Sequence, residues 1–256
     1  MLVSSNLFKK SSKSRKVRCE ICANYCKIAD GSYGICKQHK NINGELFDES
    51  FGVVSSLNAD PIEKKPLYHF LPGTLTYSVG GFGCNMGCLH CQNYMISQEF
   101  DKISDRFNIL PETIVENAIN QGCKSIAWTY NEPTIHLPFN KKTSLLAKRK
   151  NLKIVYVSNG YMSDQSLSEI LNFVDAFNID LKSMSQNFYK KICKADLNIV
   201  LDNLKRIYDA DKHLEITNLL INGYNDSTEE ITKLANFIAD NLGCDIPVSY
   251  THLRAH

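Results

Sequence analysis

The sequence has no run of about 18 apolar residues, and its start, "MLVSSNLFKK", lacks the apolar stretch that a secretory signal needs. A cytoplasmic protein with no membrane partner is therefore expected. A large field of one sign is missing too, since 29 lysines and arginines stand against 27 acidic residues for a net charge of +2. Nucleic acid is not an expected partner on that balance. The one basic run, "KKSSKSRKVR" at 9–18, is short, serine-rich and close to the terminus. Residues 1–16 read as a flexible basic arm.

What the chain does have is cysteine, ten in 256 residues. A reducing compartment keeps thiols free, so close spacing points to metal rather than to a disulfide framework. Four cysteines lie at Cys19, Cys22, Cys26 and Cys36, and three at Cys84, Cys88 and Cys91. Cys123, Cys193 and Cys244 stand alone and read as core or incidental thiols, because free cysteine packs as a small hydrophobe. The first group, C-x2-C-x3-C-x9-C, can close a four-ligand site by itself, with His39 as a spare candidate. A four-cysteine shell leaves no open position, which favours structural zinc; a second iron–sulfur cluster relaying electrons is the alternative.

Residues 75–248 alternate β-branched apolar runs with helical patterns, the mark of βα units and a parallel α/β sheet. Strands are expected at "TLTYSVGGF", 124–130, 152–159, 176–182 and 213–220, and "PVSYTHLRAH" starts like a sixth. Helices are expected at 110–122, weakly near 140–150, then at 163–174, 197–209 and 227–242. In such folds ligands collect at the carboxyl ends of the strands. Five stretches meet that rule: the cysteine loop, "TYNEP" at 129–133, "SNGY" at 158–161, "DLK" at 180–182 and "NLLINGYND" at 218–226. Each alone reads as a turn. Together, beside three cysteines, they read as one polar rim.

The loop "GFGCNMGCLHCQN" supplies three thiolates where a complete zinc or cluster site takes four ligands. A four-iron cluster on Cys84, Cys88 and Cys91 would keep one iron open, and Gly83 and Gly87 let the backbone wrap tightly. A C-x3-C-x2-C loop after the first strand of a βα series resembles the radical S-adenosylmethionine (SAM) superfamily. The resemblance implies a partial (β/α)6-type TIM barrel over 75–248, a [4Fe–4S] cluster on the three cysteines, and S-adenosylmethionine bound at the open iron. It implies reductive cleavage to a 5′-deoxyadenosyl radical that abstracts hydrogen, with a one-electron donor of flavodoxin or ferredoxin type. His90 occupies the position where family members pack the adenine. Asn131 and Glu132 match groups that bind the methionine amino end, and Ser158 and Asn159 match the ribose-contacting position. Asp180, Lys182 and "NLLINGYND" resemble the branch of pyruvate formate-lyase activating enzyme and related glycyl-radical activases. "SLNADPIEKKPLYHFLPGT" and the N-terminal cysteines resemble an activase-like subgroup labelled after its Memo and AMMECR neighbours.

The expected domains are the arm (1–16), a cysteine-rich metal-binding module (17–55), a connecting segment (56–74), the partial barrel (75–248) and a tail (249–256). In the connecting segment Asp60 reads as an N-cap, Pro61 as N1 and Glu63 as N3 of a short structural helix. "SYTHLRAH" resembles translated sequencing-adapter sequence, so the tail is expected to be non-native and the native chain truncated near Val248, with His252 and His256 no metal ligands. Two other functions compete with a radical enzyme acting on a protein or small-molecule substrate. A non-catalytic iron–sulfur electron carrier would need a fourth protein ligand for the loop, and a zinc-stabilised binding module would use the N-terminal cysteines alone.

Overall fold

The protein is described here from a computed structural model over residues 3–11, 14–102 and 107–252. A seven-stranded sheet carries the fold. Its elements are β1 (Ser56–Pro61), β2 (Leu75–Gly80), α1 (Pro111–Asn120), β3 (Ser125–Trp128), α2 (Leu137–Lys148), β4 (Lys153–Ser158), α3 (Asp164–Leu171), β5 (Ala176–Asp180), α4 (Leu197–Asp209), β6 (His213–Leu220), α5 (Thr228–Asn241) and β7 (Val248–His252). Strands β2 to β7 lie parallel in chain order, and β1 pairs antiparallel with β2 at the edge. The outer strands β1 and β7 do not pair, so the barrel is partial and open.

The local sequence explains the elements. Pro111 fits the first turn of α1, where its missing N–H is no loss, with Glu112 beside it at the positive helix end. Ser163, Asp196 and Ser227 each cap a helix by accepting a backbone N–H from Ser166, Asn198 and Glu230. The strands are buried on both faces, as a parallel sheet under helices requires. On the outer face Ile126, Trp128, Ile154, Tyr156, Phe177 and Ile216 pack with Ile114, Ala147, Leu167, Ile170, Leu204 and Leu234 of the helices. The inner face is narrow and takes small residues: Ala127, Val155 and Ala176 surround Ile62 and Leu67. The segment after β1 thus enters the barrel from below and closes it. Asn178 Nδ2 donates to the Pro66 carbonyl at 2.9 Å, and the buried Glu215 carboxylate accepts from the Tyr68 and His69 amides at 3.0 and 2.9 Å.

Helix α2 begins three residues before the expected 140–150, because Pro138 sits in its first turn after a 3-10 turn at Pro133–His136. Asp60 does not cap a helix. It is the last residue but one of β1, a strand that the polar sequence "SLNADP" conceals, and a 3-10 turn at Ile62–Lys64 follows with Pro61 at the cap. Its carboxylate instead pairs with Lys64 and Lys65 at 2.9 and 3.0 Å and accepts from the Tyr130 hydroxyl at 2.8 Å. Among the described residues no helix is long and apolar enough to cross a membrane.

The N-terminal residues form two small antiparallel sheets, one of Phe8–Lys10, Val17–Cys19 and Lys27–Ile28, the other of Val3–Ser4, Glu45–Asp48 and His39–Ile42. The stretch expected as a flexible arm is therefore structured at 3–4 and 8–10. Leu7 and Phe8 explain this, since they pack on Val17, Ile21, Ile28 and Leu46 while Lys9 and Lys10 after them are exposed. Residues 1–2 and 12–13 lie outside the described residues. The module is bound to the barrel through Cys22 bridging Met162, Asn24 Nδ2 donating to the Asn85 carbonyl at 2.6 Å, and Ser163 Oγ donating to the Glu20 carbonyl at 2.5 Å. At the other end Val248 to His252 pair in register with Ile216 to Leu220, so the first four residues of the expected tail continue the sheet; 253–256 lie outside the described residues.

Candidate functional site

The carboxyl ends of the strands open on a cavity of about 1010 Å³. All ten residues picked out from the sequence line it: Cys84, Cys88, His90, Cys91, Asn131, Glu132, Ser158, Asn159, Asp180 and Lys182. Thr217, Leu219 and residues Tyr250 to His252 complete the rim, and Lys64, Lys65 and Pro66 rise from the plug below. The connecting segment is thus part of the cavity wall as well as a structural closure. Lys65 Nζ is buried between the Asp60 carboxylate and the Tyr130 ring, 4.4 Å from its centroid.

The cysteine loop leaves β2 through Gly83, at φ +86°, a backbone region that glycine enters freely. A Cβ there would stand 2.6 Å from the Cys36 carbonyl oxygen, so the N-terminal module lies directly on the loop. Asn131, after β3, staples the loop from the other side: its Oδ1 accepts from Gly81 N at 3.0 Å and its Nδ2 donates to the Gly83 carbonyl at 2.9 Å and to His136 Nε2 at 3.1 Å. His136 Nδ1 meets Ser50 Oγ at 2.9 Å, and Ser50 Oγ donates to Asp48 at 2.5 Å, so a buried polar chain runs from the module to the loop. Burial pushes His136 down to about 4, and the neutral ring accepts from Asn131 on one nitrogen and donates to Ser50 on the other.

Glu132 is 2 % exposed and faces four donors. Its oxygens accept from Thr134 N and Oγ1 at 3.0 and 2.5 Å, Ser158 Oγ at 2.9 Å, and Asn159 N at 2.9 Å. Burial raises its carboxyl above the usual range, and these hydrogen bonds pull against that rise. Asn159 is no simple turn residue. Its Nδ2 donates to Asn85 Oδ1 at 2.8 Å and lies 3.7 Å from Cys84 Sγ, while Oδ1 accepts from Tyr161 N at 2.9 Å. Glu132, Ser158 and Asn159 are turned on one another and on the loop. Asp180 and Lys182 are less committed: they pair at 2.9 Å, with the Asp180 side chain 38 % exposed. Burial disfavours the Lys182 ammonium, but Asp180 and Cys88 outweigh it and raise its pKa. His90 lies 5.9 Å from Phe188, ring to ring, and burial with the nearby Lys182 charge lowers it to about 4, so it is neutral at pH 7.

Each loop thiol has its own donors. Cys84 Sγ receives the Met86 amide at 3.5 Å, besides Asn159. Cys91 interacts with the Ser97 hydroxyl and the Asn93 amide. Cys88 has a partner that sequence reasoning missed: a hydrogen bond with Cys193 lowers it to about 7 against burial, and Lys182 adds to the effect. Among the described residues the set of three whose donor atoms all fall within 4.8 Å of one another is Cys88, His90 and Cys193. Cys84, Cys88 and Cys91 come from one loop and all line the cavity. The N-terminal module carries Cys19, Cys22 and Cys36, all buried, and the half-buried Cys26. Burial pushes Cys19 up to about 12 and Cys36 to about 11, and Cys36 Sγ lies 3.6 Å from His39 Nδ1.

Comparison with known proteins agrees with this geometry. The model of the Radical SAM superfamily matches residues 78–238. An uncharacterized protein of Methanocaldococcus jannaschii is 42 % identical over 97 % of the chain and 74 % of its own length. A 4-hydroxyphenylacetate decarboxylase activating enzyme of Clostridioides difficile is 23 % identical over 45 % of the chain and 37 % of its own length. Streptococcus suis SuiB bound to S-adenosylmethionine has a similar fold, with TM-score 0.54 and 14 % identity, covering 69 % of this chain and 40 % of that one. With the family's sequence pattern over most of its length and its cysteine loop at the rim of an open parallel barrel, the chain belongs to the radical SAM superfamily.

Proposed function

We propose that the chain is a radical SAM enzyme of the activase-like type, with a [4Fe–4S] cluster on Cys84, Cys88 and Cys91 and one iron left to S-adenosylmethionine. The observation that carries this reading is the cavity itself: three thiols from one loop, each with its own donor, open on a space of about 1010 Å³ walled by polar strand ends. Bound there, cluster and S-adenosylmethionine would supply the 5′-deoxyadenosyl radical on one-electron reduction. The chain's own residues bind, orient and exclude water. Asn131, Glu132, Ser158 and Asn159 hold the wall against which the methionine and ribose ends rest. His90, with the buried Phe188 behind it, offers its neutral ring to the adenine, and Asp180 and Lys182 meet charged or hydroxyl groups of the ligand. The electron donor is of flavodoxin or ferredoxin type, and the compartment is the cytoplasm.

The activase branch draws support from the Clostridioides relative. It predicts a partner protein with a glycyl-radical site; a small-molecule substrate is the other outcome. Anaerobic reconstitution tests the core of the proposal. About four irons per barrel site and 5′-deoxyadenosine released under a strong reductant are expected, and Cys84→Ala, Cys88→Ala and Cys91→Ala should each abolish that release. An intact cluster without cleavage would turn the reading to the electron carrier.

For the N-terminal module we propose a second metal centre on Cys19, Cys22, Cys26 and Cys36. Zinc suits a closed four-cysteine shell, and the Cys36 carbonyl beside Gly83 of the loop is the observation on the side of a second iron–sulfur cluster passing electrons inward. Iron beyond four per chain supports the cluster, and one zinc per chain with four irons supports the structural metal.

A further inference from the structure

The three loop thiols differ in who faces them, and Cys88 is the one faced by another cysteine. Cys193 is fully buried and ends a π-helical turn, Tyr189–Cys193, a rare geometry that concentrates at functional sites. Two backbone hydrogen bonds clamp this turn to the cysteine loop: Gly87 N donates to the Cys193 carbonyl and Leu89 N to the Ile192 carbonyl, both at 3.0 Å. The turn then ends at Lys194 in the left-handed region, φ 60°, and a Cβ at Gly87 would press on the Lys194 side chain at 3.3 Å. Tyr189 fixes the turn to the opposite rim by accepting from Lys182 N at 3.1 Å through its hydroxyl. The Cys193 sulfur therefore has a fixed place, within 4.8 Å of both Cys88 Sγ and a His90 ring nitrogen. His90 Nδ1 is itself buried without a hydrogen-bond partner, so the pocket beside Cys88 carries unused polar capacity.

We propose that Cys193 is a positioning residue for the loop's cluster, its S–H donating to the Cys88 thiolate and raising the cluster's reduction potential. This rests on the cluster reading given under Proposed function. Hydrogen bonds to cluster sulfurs favour the reduced, more negative state, and partners one shell out tune a metal site without binding it. Ligands of separate irons must stand apart. Cys193 instead shares the place of Cys88, which makes it a donor to that ligand and not a fourth ligand. A thiol is a weak donor, so removing it shifts the potential while leaving the cluster assembled.

The test compares wild type, Cys193→Ala and Cys193→Ser after anaerobic reconstitution, by iron content and by a redox titration followed by electron paramagnetic resonance without S-adenosylmethionine. Expected are unchanged iron in all three, a lower midpoint potential for Cys193→Ala, and a value near wild type for Cys193→Ser, which keeps a donor in nearly the same volume. An unchanged midpoint in Cys193→Ala with full iron overturns the proposal, as does loss of iron in Cys193→Ala and Cys193→Ser alike, which would make Cys193 a ligand. Wild type that assembles no four-iron signal sinks the underlying cluster reading instead, so the two failures are distinct.

Discussion

Asn131 ties the segment after β3 to the cysteine loop, and its removal should loosen that loop. Asn131→Ala deletes an acceptor for Gly81 N and a donor for the Gly83 carbonyl and for His136 Nε2. Leaving a buried backbone group without a partner costs about 1–3 kcal/mol. Two such groups set a range of about 2–6 kcal/mol, and water entering from the adjoining cavity recovers part of it, so about 2–4 kcal/mol is expected. Asn131→Asp keeps an acceptor for Gly81 N and loses the donors, so about half that loss is expected. At about 2–4 °C per kcal/mol for a chain of this size, the alanine variant should melt roughly 4–16 °C lower. The assay is anaerobic urea and thermal unfolding of the metal-free protein, followed by iron uptake. A loss under about 0.5 kcal/mol for Asn131→Ala, or equal losses for the two variants, would refute the reasoning that this side chain holds the loop by both of its ends.

Three further outcomes follow from the same geometry. Gly83→Ala places a side chain at φ +86° and 2.6 Å from the Cys36 carbonyl; beyond about 1–2 kcal/mol of backbone strain, the module must shift, so limited proteolysis should cut the N-terminal region faster, and wild-type resistance would count against the docking. For Asp60, burial raises the carboxyl, but hydrogen bonds from Lys64, Tyr130 and Lys65 hold it well below its usual 3.8; a depressed pKa contributes stability that is full above pH 3.8 and lost as pH falls through the folded value. Asp60→Asn should thus cost about 3 kcal/mol near pH 7, by leaving Lys65 buried and unpaired, with the gap to wild type closing below pH 3.8 in urea titrations; a gap independent of pH would be the contrary result. Ser158→Ala removes a hydrogen bond to the buried Glu132 carboxylate and should lower stability by about 1–3 kcal/mol, read by the same melts, against no change if the hydroxyl faces only the cavity.

The sheet was legible because its strands are buried on both faces and read as apolar runs between capped helices. β1 was not, since "SLNADP" has the polar, proline-ended composition of a connection and becomes a strand only by pairing with β2. The arm was misread for a related reason: lysines and serines dominate 9–18, and the two residues that anchor it, Leu7 and Phe8, give no periodicity in so short a stretch. The loop cysteines announce themselves by spacing. Cys193 cannot, because its neighbour Cys88 lies 105 positions upstream (193 − 88) and the π-turn that aims it is fixed by backbone bonds to the loop. His136 was hidden in the same way, since a histidine after "NEPTI" has no local pattern that reveals Ser50 and Asn131 on its two nitrogens.

Sequence could gather the rim residues but could not divide them into those that hold the wall and those that face a ligand, because the division lies in their partners. Ser158 is 3 % exposed and bonded to Glu132, whereas the Lys182 ammonium bonds Asp180, whose side chain is 38 % exposed. A solvent-screened partner makes the pair worth little to the fold, about 0–1 kcal/mol, while in the cavity the same ammonium is a cation beside Cys88 and His90. Lys182→Met should accordingly leave the melting temperature within about 2–4 °C of wild type and weaken S-adenosylmethionine binding to the reconstituted enzyme at least about tenfold, the effect of 1.4 kcal/mol, measured by isothermal titration. Ser158→Ala should do the reverse in proportion, losing stability first and affinity only as far as the wall relaxes. If Lys182→Met unfolds the protein while Ser158→Ala spares it, the hydrogen-bond partners have been assigned the wrong consequences, and the wall is held from the Asp180 side.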